Sequence, residues 1–265
     1  MIWPLQNLLR ARVLRRSDTS AAYWLPAWRR LPLLRGLDDD EAARLRRLAT
    51  LFLHEKTLEP VDGLTLTTHM GQTVALQACL PVLNLGIDWL DGWVSVIVYP
   101  DAFASTFSEE DHAGVVHDYR EERSGEAWER GPLVLSWADV EEGAALDGNN
   151  VILHEIAHKL DALDGGTNGK PPLHRGMSVA RWSEVFSAAF ADLERRVDTD
   201  EDCAIDPYAV TSPAEFFAVL TEAFFETPYA VESTYPEVYG QLTELYRQDP
   251  LARLSPGRGR GRRYG

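Results

Sequence analysis

Two histidines four residues apart enclose a glutamate in the run His154-Glu155-Ile156-Ala157-His158. On an α-helix, side chains four apart lie on one face, so both imidazoles can reach one Zn²⁺ from a single turn. Glu155, one position along, is offset enough to stay out of the ligand set while still addressing a water on the metal. Hydrolysis by a metal-activated water requires that arrangement. Composition alone yields such a five-residue pattern in on the order of one chain in a hundred, so its surroundings must decide. Ile152, Leu153, Ile156, Ala157 and Leu160 give the run the apolar supporting faces of a buried helix. His54, His69, His112, His117 and His174 lack helical pairing and read as structural or surface residues.

A catalytic zinc site takes three protein ligands and keeps one position open, so a third ligand is needed. Asp164 lies six residues after His158, where an extended helix-then-turn motif places its third ligand, but that motif wants glycine at the position occupied here by Asp161. Glu215 and Glu222 lie seven apart on one helix face, and either could approach if that helix packs against the first. Spacing does not separate them.

The elements that must position these groups follow from periodicity and punctuation. Asp147-Gly148-Asn149-Asn150 supplies turn and N-cap chemistry before VILHEIAHKLDAL, and Gly165-Gly166 ends it, predicting a helix of about three turns. Asp38-Asp39-Asp40 open a helix over about 40–56, and QTVALQACLPVLNLG is a more buried helix broken near Pro81. WVSVIVYP at 93–100 reads as a strand, as does LVLSW at 133–137. Further helices are expected at about 179–196, 213–226 and 236–247, the last two opened by Ser212-Pro213 and Pro236. The expected fold class is α+β, mostly helical, with a small sheet including 93–99 and 133–137 beside the metal helix. The 133–137 strand is expected at its edge.

The chain has 265 residues, enough for one domain with appendages. The first 36 residues hold seven Arg and one Asp, net +6, and 253–265 hold five Arg and no acid, net +5; removing both from the total of −15 leaves −26 for 37–252. We therefore divide the chain into a basic, aromatic N-terminal segment (1–36) packed on the body through tryptophans such as Trp3, Trp24 and Trp28, a metallopeptidase domain (37–252) and a disordered Arg/Gly-rich tail (253–265). An acidic body repels phosphates, so no nucleic-acid partner is expected for it. No apolar run is long enough to cross a bilayer, the opening residues lack a secretory signal, and Cys79 and Cys203 have no metal-ligand spacing, which together place the protein in the cytoplasm.

Five stretches resemble one known family, the Mlc titration factor A zinc metallopeptidases, whose zinc site is related to that of the anthrax lethal factor metallopeptidase domain. They are LPVLNLGIDWLDGW (80–93), RSGEAWERGPLVLSW (123–137), HEIAHKLD (154–161), IDPYAVTSPAEFFAVLTEAFFE (205–226) and YRQDPLARL (246–254). The resemblance implies a zincin-like fold, one Zn²⁺ per chain, Glu215 as the ligand beside His154 and His158, and Tyr208 as a catalytic side chain facing the metal. It implies an aminopeptidase-type hydrolase acting on peptide substrates, in which Glu155 deprotonates the zinc-bound water and Tyr208 donates to the developing oxyanion. It also implies binding of a transcriptional repressor of a glucose phosphotransferase system. The arginine-rich ends depart from the family pattern. Asp161 reads as an outer hydrogen-bond acceptor or helix-end residue rather than a ligand. The alternative function is a regulatory protein-binding module with a structural or vestigial zinc site.

Overall fold

The computed structural model describes residues 3–100, 108–110, 116–118, 131–143 and 145–254. Two helices, α1 (Trp3–Arg16) and α2 (Ala21–Trp28), precede α3 (Asp39–Glu55). Asp38 caps α3 by accepting from the Glu41 N–H while Glu41 reaches back to the Asp38 N–H, two orphan donors satisfied by one exchange. Strand β1 (Thr57–Pro60), helix α4 (Thr68–Cys79) and strand β2 (Ser95–Tyr99) follow. In α4, Met70 through Cys79 are all buried, and the helix stops just before Pro81.

Strands β3 (Ser108–Glu110) and β4 (Val116–Asp118) form an antiparallel pair, and β5 (Leu133–Ser136) returns to the main sheet. That sheet has the order β1-β2-β5 and is parallel throughout, with Thr57 opposite Ser95 and Val96 opposite Leu133. Val96 and Val98 point into the core, while Ser95, Ile97 and Tyr99 are half-buried on the other face. Among the described residues β5 pairs with β2 alone, so it is an edge strand, one residue shorter than the sequence suggests. Trp137 opens helix α5 (Trp137–Glu142), because Ser136 turns its hydroxyl to accept from the Asp139 N–H and caps a helix there.

Helix α6 (Val151–Asp161) carries the paired histidines and ends through a 3₁₀ turn at Ala162–Asp164 into Gly165, whose φ of 100° is left-handed. Helices α7 (Val179–Asp198), α8 (Pro213–Glu226), α9 (Pro228–Thr234), α10 (Pro236–Tyr246) and α11 (Pro250–Leu254) complete the fold. Every residue of α8 from Phe216 to Glu226 is buried, so it is the central helix of this half of the molecule. Phe216, Phe217, Phe224 and Phe225 pack among Trp182, Phe186, Tyr239 and Tyr246, with Trp182 and Phe186 stacked at 4.1 Å.

The N-terminal helices sit on this body. Trp24 is buried, Trp28 is half-buried beneath Arg46, and the buried Arg10 meets Glu55, Asp88 and Asp91. The Trp3 side chain lies outside the described residues. At the other end α11 includes Arg253, whose guanidinium donates to the carbonyls of Leu33 and Arg35, so the stretch read as tail begins inside a docked helix. Residues 255–265 lie outside the described residues. Cys79 is buried and Cys203 half-buried, both as free thiols. No described helix is long and apolar enough to cross a membrane.

Candidate metal centre

Three elements build the site. Asn150 caps α6 by accepting from the Leu153 N–H at 3.1 Å, which starts the helix so that His154 and His158 fall on one face. Ser212 caps α8 by accepting from the Glu215 N–H at 3.2 Å, with Pro213 at the first helical position, so Glu215 stands in the opening turn where the helix favours a negative charge. Between them a 3₁₀ turn, Pro207–Thr211, is capped by Asp206 accepting from the Tyr208 N–H at 2.8 Å.

The two helices bring His154, His158 and Glu215 together. Nε2 of His154 lies 3.1 Å from Nε2 of His158 and 3.0 Å from Oε2 of Glu215, and the His158–Glu215 edge is 3.5 Å. Tetrahedral Zn²⁺ with bonds of about 2.0–2.1 Å separates its ligand atoms by about 3.3 Å, so the triangle has the size that one such ion requires. Oε2 of Glu215 is buried and makes no well-angled hydrogen bond. Among the described residues this is the trio of His, Cys, Asp or Glu whose donor atoms converge closely enough for a metal ion.

The electrostatics ask for a positive charge at the same point. Burial alone would depress the His154 imidazolium, yet Glu215 and Glu222 outweigh it and push the imidazole up to about 10. Burial would raise the Glu215 carboxyl, but the two imidazoles hold it well below the usual range. A metal cation at Nε2 would meet the Glu215 charge and let the ring stay neutral, keeping only the Nδ1 proton that it gives to Glu222.

The other sequence-derived candidates fall around this trio. Glu155 is half-buried on the next helical position, its charge felt by His154 and by Lys159. The Tyr208 ring stands 6.3 Å from that of His154, and the residue is 42% exposed. Asp164 is drawn to Lys170 in an ion pair beyond the end of α6, away from the trio. Glu222 meets the far nitrogen of His154: its Oε1 accepts from Nδ1 at 2.7 Å. Asp161 is fully buried and accepts from the Gly169 N–H at 2.7 Å; burial pushes its carboxyl up to about 6 against the pull of the loop amides. Sequence spacing flagged Glu222 as a rival ligand but carried no sign of the contact it makes. Of the isolated histidines, His174 donates through Nε2 to the Leu245 carbonyl at 2.8 Å, and His112 and the His117 side chain lie outside the described residues.

The sheet borders the centre. Lys159 on α6 donates to the Gly131 carbonyl at 3.0 Å, two residues before β5 begins, so the edge strand lies against the metal helix.

Comparisons with known proteins agree with this chemistry. A sequence model of the family described as glucose-regulated metallo-peptidase M90 matches residues 5–247. The chain is 40% identical over 226 residues to a protein named Mlc titration factor A from Cronobacter sakazakii (strain ATCC BAA-894), covering 84% of this chain and 85% of that one. It is 40% identical over 245 residues to a protein of the same name from Yersinia enterocolitica (serotype O:8 / biotype 1B), covering 90% and 91%. The Yersinia pestis (strain Pestoides F) protein of that name is 41% identical over 227 residues, covering 84% of each chain.

Proposed function

Because the chain belongs to the glucose-regulated metallo-peptidase M90 family, we propose that it is a zinc-dependent peptidase of aminopeptidase type on a zincin-like fold, with residues 37–252 as the catalytic unit. The observation that carries the reading is the triangle of His154, His158 and Glu215, with edges of 3.0–3.5 Å. His154, His158 and Glu215 would hold one Zn²⁺, which would supply Lewis acidity toward an amide carbonyl and a water made nucleophilic near neutral pH. Glu155 takes the proton from the attacking water and passes it toward the leaving amine. Tyr208, presented by its capped turn, donates its phenolic hydrogen to the oxyanion that develops on the amide. The β5 edge offers main-chain donors and acceptors to an extended peptide, which would bring a scissile bond alongside α6. The aminopeptidase type follows the family resemblance, and the two free cysteines suit a cytoplasmic protein.

The relatives' name favours a second reading, that the chain binds the Mlc repressor, and the two can coexist in one molecule. Glu155→Gln separates them. It keeps size and hydrogen bonding but removes the base, so zinc content should hold while peptide hydrolysis falls by about 10²–10⁴. Tyr208→Phe should lower kcat by about 10²–10³ with little change in KM or metal content. Wild-type turnover from zinc-replete Glu155→Gln protein would refute the mechanism. A wild type inactive on every peptide tried, yet retaining Mlc in a pull-down, would favour the binding module.

A further inference from the structure

Glu222 lies two turns beyond Glu215 on the same face of α8, and the residue is 6% exposed. Both of its oxygens are engaged by α6. Oε1 accepts from Nδ1 of His154 at 2.7 Å, and Oε2 accepts from the backbone N–H of Asn150, the residue that caps that helix. Asn150 is fixed in turn: its side-chain amide donates to Gln77 Oε1 at 2.7 Å, to Glu226 Oε1 at 2.8 Å and to the Gly143 carbonyl at 3.2 Å. Glu226 also accepts from the Gly148 N–H at 3.2 Å.

A carboxylate bound to Nδ1 has two effects on an imidazole. It keeps the proton on Nδ1, leaving the lone pair on Nε2, and it resists rotation of the ring about its bond to Cβ. In this chain the freed Nε2 is the atom that faces His158 and Glu215. The anchoring carboxylate is itself tied to the first turn of the helix that carries the histidine, so ring and helix cannot shift independently. We infer that Glu222 is a positioning residue, setting the tautomer and orientation of His154 so that Nε2 is presented to the metal, with its second oxygen tied to the Asn150 N–H at the start of α6. The inference deepens the zinc reading above and rests on it.

Glu226 supplies the control, being equally buried on the same helix and bound to the same asparagine without touching a histidine. Zinc affinity of the full chain would be measured by competition with a chelator, together with the absorption spectrum of the Co²⁺-substituted protein and urea unfolding of the metal-free protein. Glu222→Gln should bind zinc about 10–100-fold more weakly and shift the Co²⁺ bands, in line with the loss of an outer carboxylate. Glu226→Gln should alter urea stability but leave zinc affinity and the Co²⁺ spectrum as in wild type. Unchanged zinc affinity and spectrum in Glu222→Gln would overturn the inference, as would equal weakening by Glu226→Gln. Wild type that takes up no zinc would sink the metal reading itself, an outcome distinct from a zinc-replete wild type with an indifferent Glu222→Gln. Should Glu222→Gln fail to fold, ¹⁵N spectra of the imidazoles in zinc-loaded wild type decide the matter: a proton on Nδ1 of His154 supports the assignment, and a proton on Nε2 overturns it.

Discussion

Glu215 occupies the third position of its helix, where a glutamate ordinarily reaches back to complete a capping box. Its side chain instead turns toward two imidazoles on another helix, with 20% of its surface exposed, so local helix chemistry does not account for its direction. If it is the third ligand, Glu215→Ala should weaken zinc retention by more than the roughly 10–100-fold that removal of an outer partner costs. Asp164→Ala should leave zinc stoichiometry intact, since that carboxylate is drawn to Lys170. Metal content after dialysis against a graded chelator series reads both variants. Full zinc stoichiometry without Glu215, together with loss without Asp164, would reverse the assignment. The paired histidines and the intervening glutamate were legible from spacing because helix periodicity is local. The choice among Asp164, Glu215 and Glu222 was not, because it depends on how α8 lies across α6, and only the family resemblance pointed to Glu215.

At the scale of elements, the relation between the two ligand-bearing helices is fixed by a clamp at their ends. Asp161, the last residue of α6, holds the Gly169 N–H, and the Gly169 carbonyl accepts from the Trp182 indole at 3.1 Å. Gly169 has a φ of +78°, and a Cβ there would stand 2.3 Å from the carbonyl oxygen of Pro213, two residues before Glu215. Gly169→Ala should therefore lower unfolding free energy by roughly 1–3 kcal/mol from backbone strain, with a further loss from the displaced first turn of α8. It should also weaken zinc binding. Gly165→Ala is the matched comparison, with a φ of +100° but open space around the added carbon, and should carry the strain alone. Urea unfolding and zinc competition on both variants test this; equal zinc affinity in the two would show that the clamp does not reach the site. The start of helix 213–226 was readable because Ser212-Pro213 opens it. Strand β1 was not, since Thr57-Leu58-Glu59-Pro60 has no apolar alternation and is largely exposed. The break between β5 and α5 was hidden because Trp137 suits a strand as well as a helix, and the deciding contact is the cap made by Ser136.

For the molecule as a whole, buried charge couples stability to pH. Burial pushes the Glu226 carboxyl up to about 8, with hydrogen bonds from Asn150 and Gly148 pulling the other way. The unfolded chain ionises this group near its ordinary value of 4.5, so between there and about 8 the native state keeps a proton that the unfolded state has released. Its contribution to stability is complete below the lower value and is lost as pH rises through the upper one. The urea midpoint of metal-free wild type should therefore fall relative to that of Glu226→Gln between about pH 5 and about pH 9. A difference that stays constant with pH would exclude the linkage. The mostly helical body and its small sheet were anticipated from periodicity, whereas the docking of the ends was only partly so. Composition suggested tryptophan packing, but nothing local announces that Arg10 will be enclosed by Glu55, Asp88 and Asp91. Those partners lie 45, 78 and 81 residues further along the chain. During synthesis the first helix leaves the ribosome long before the carboxylates that neutralise its arginine exist. It must wait undocked until at least residue 91 has emerged, which makes the beginning of the chain one of the late pieces to settle.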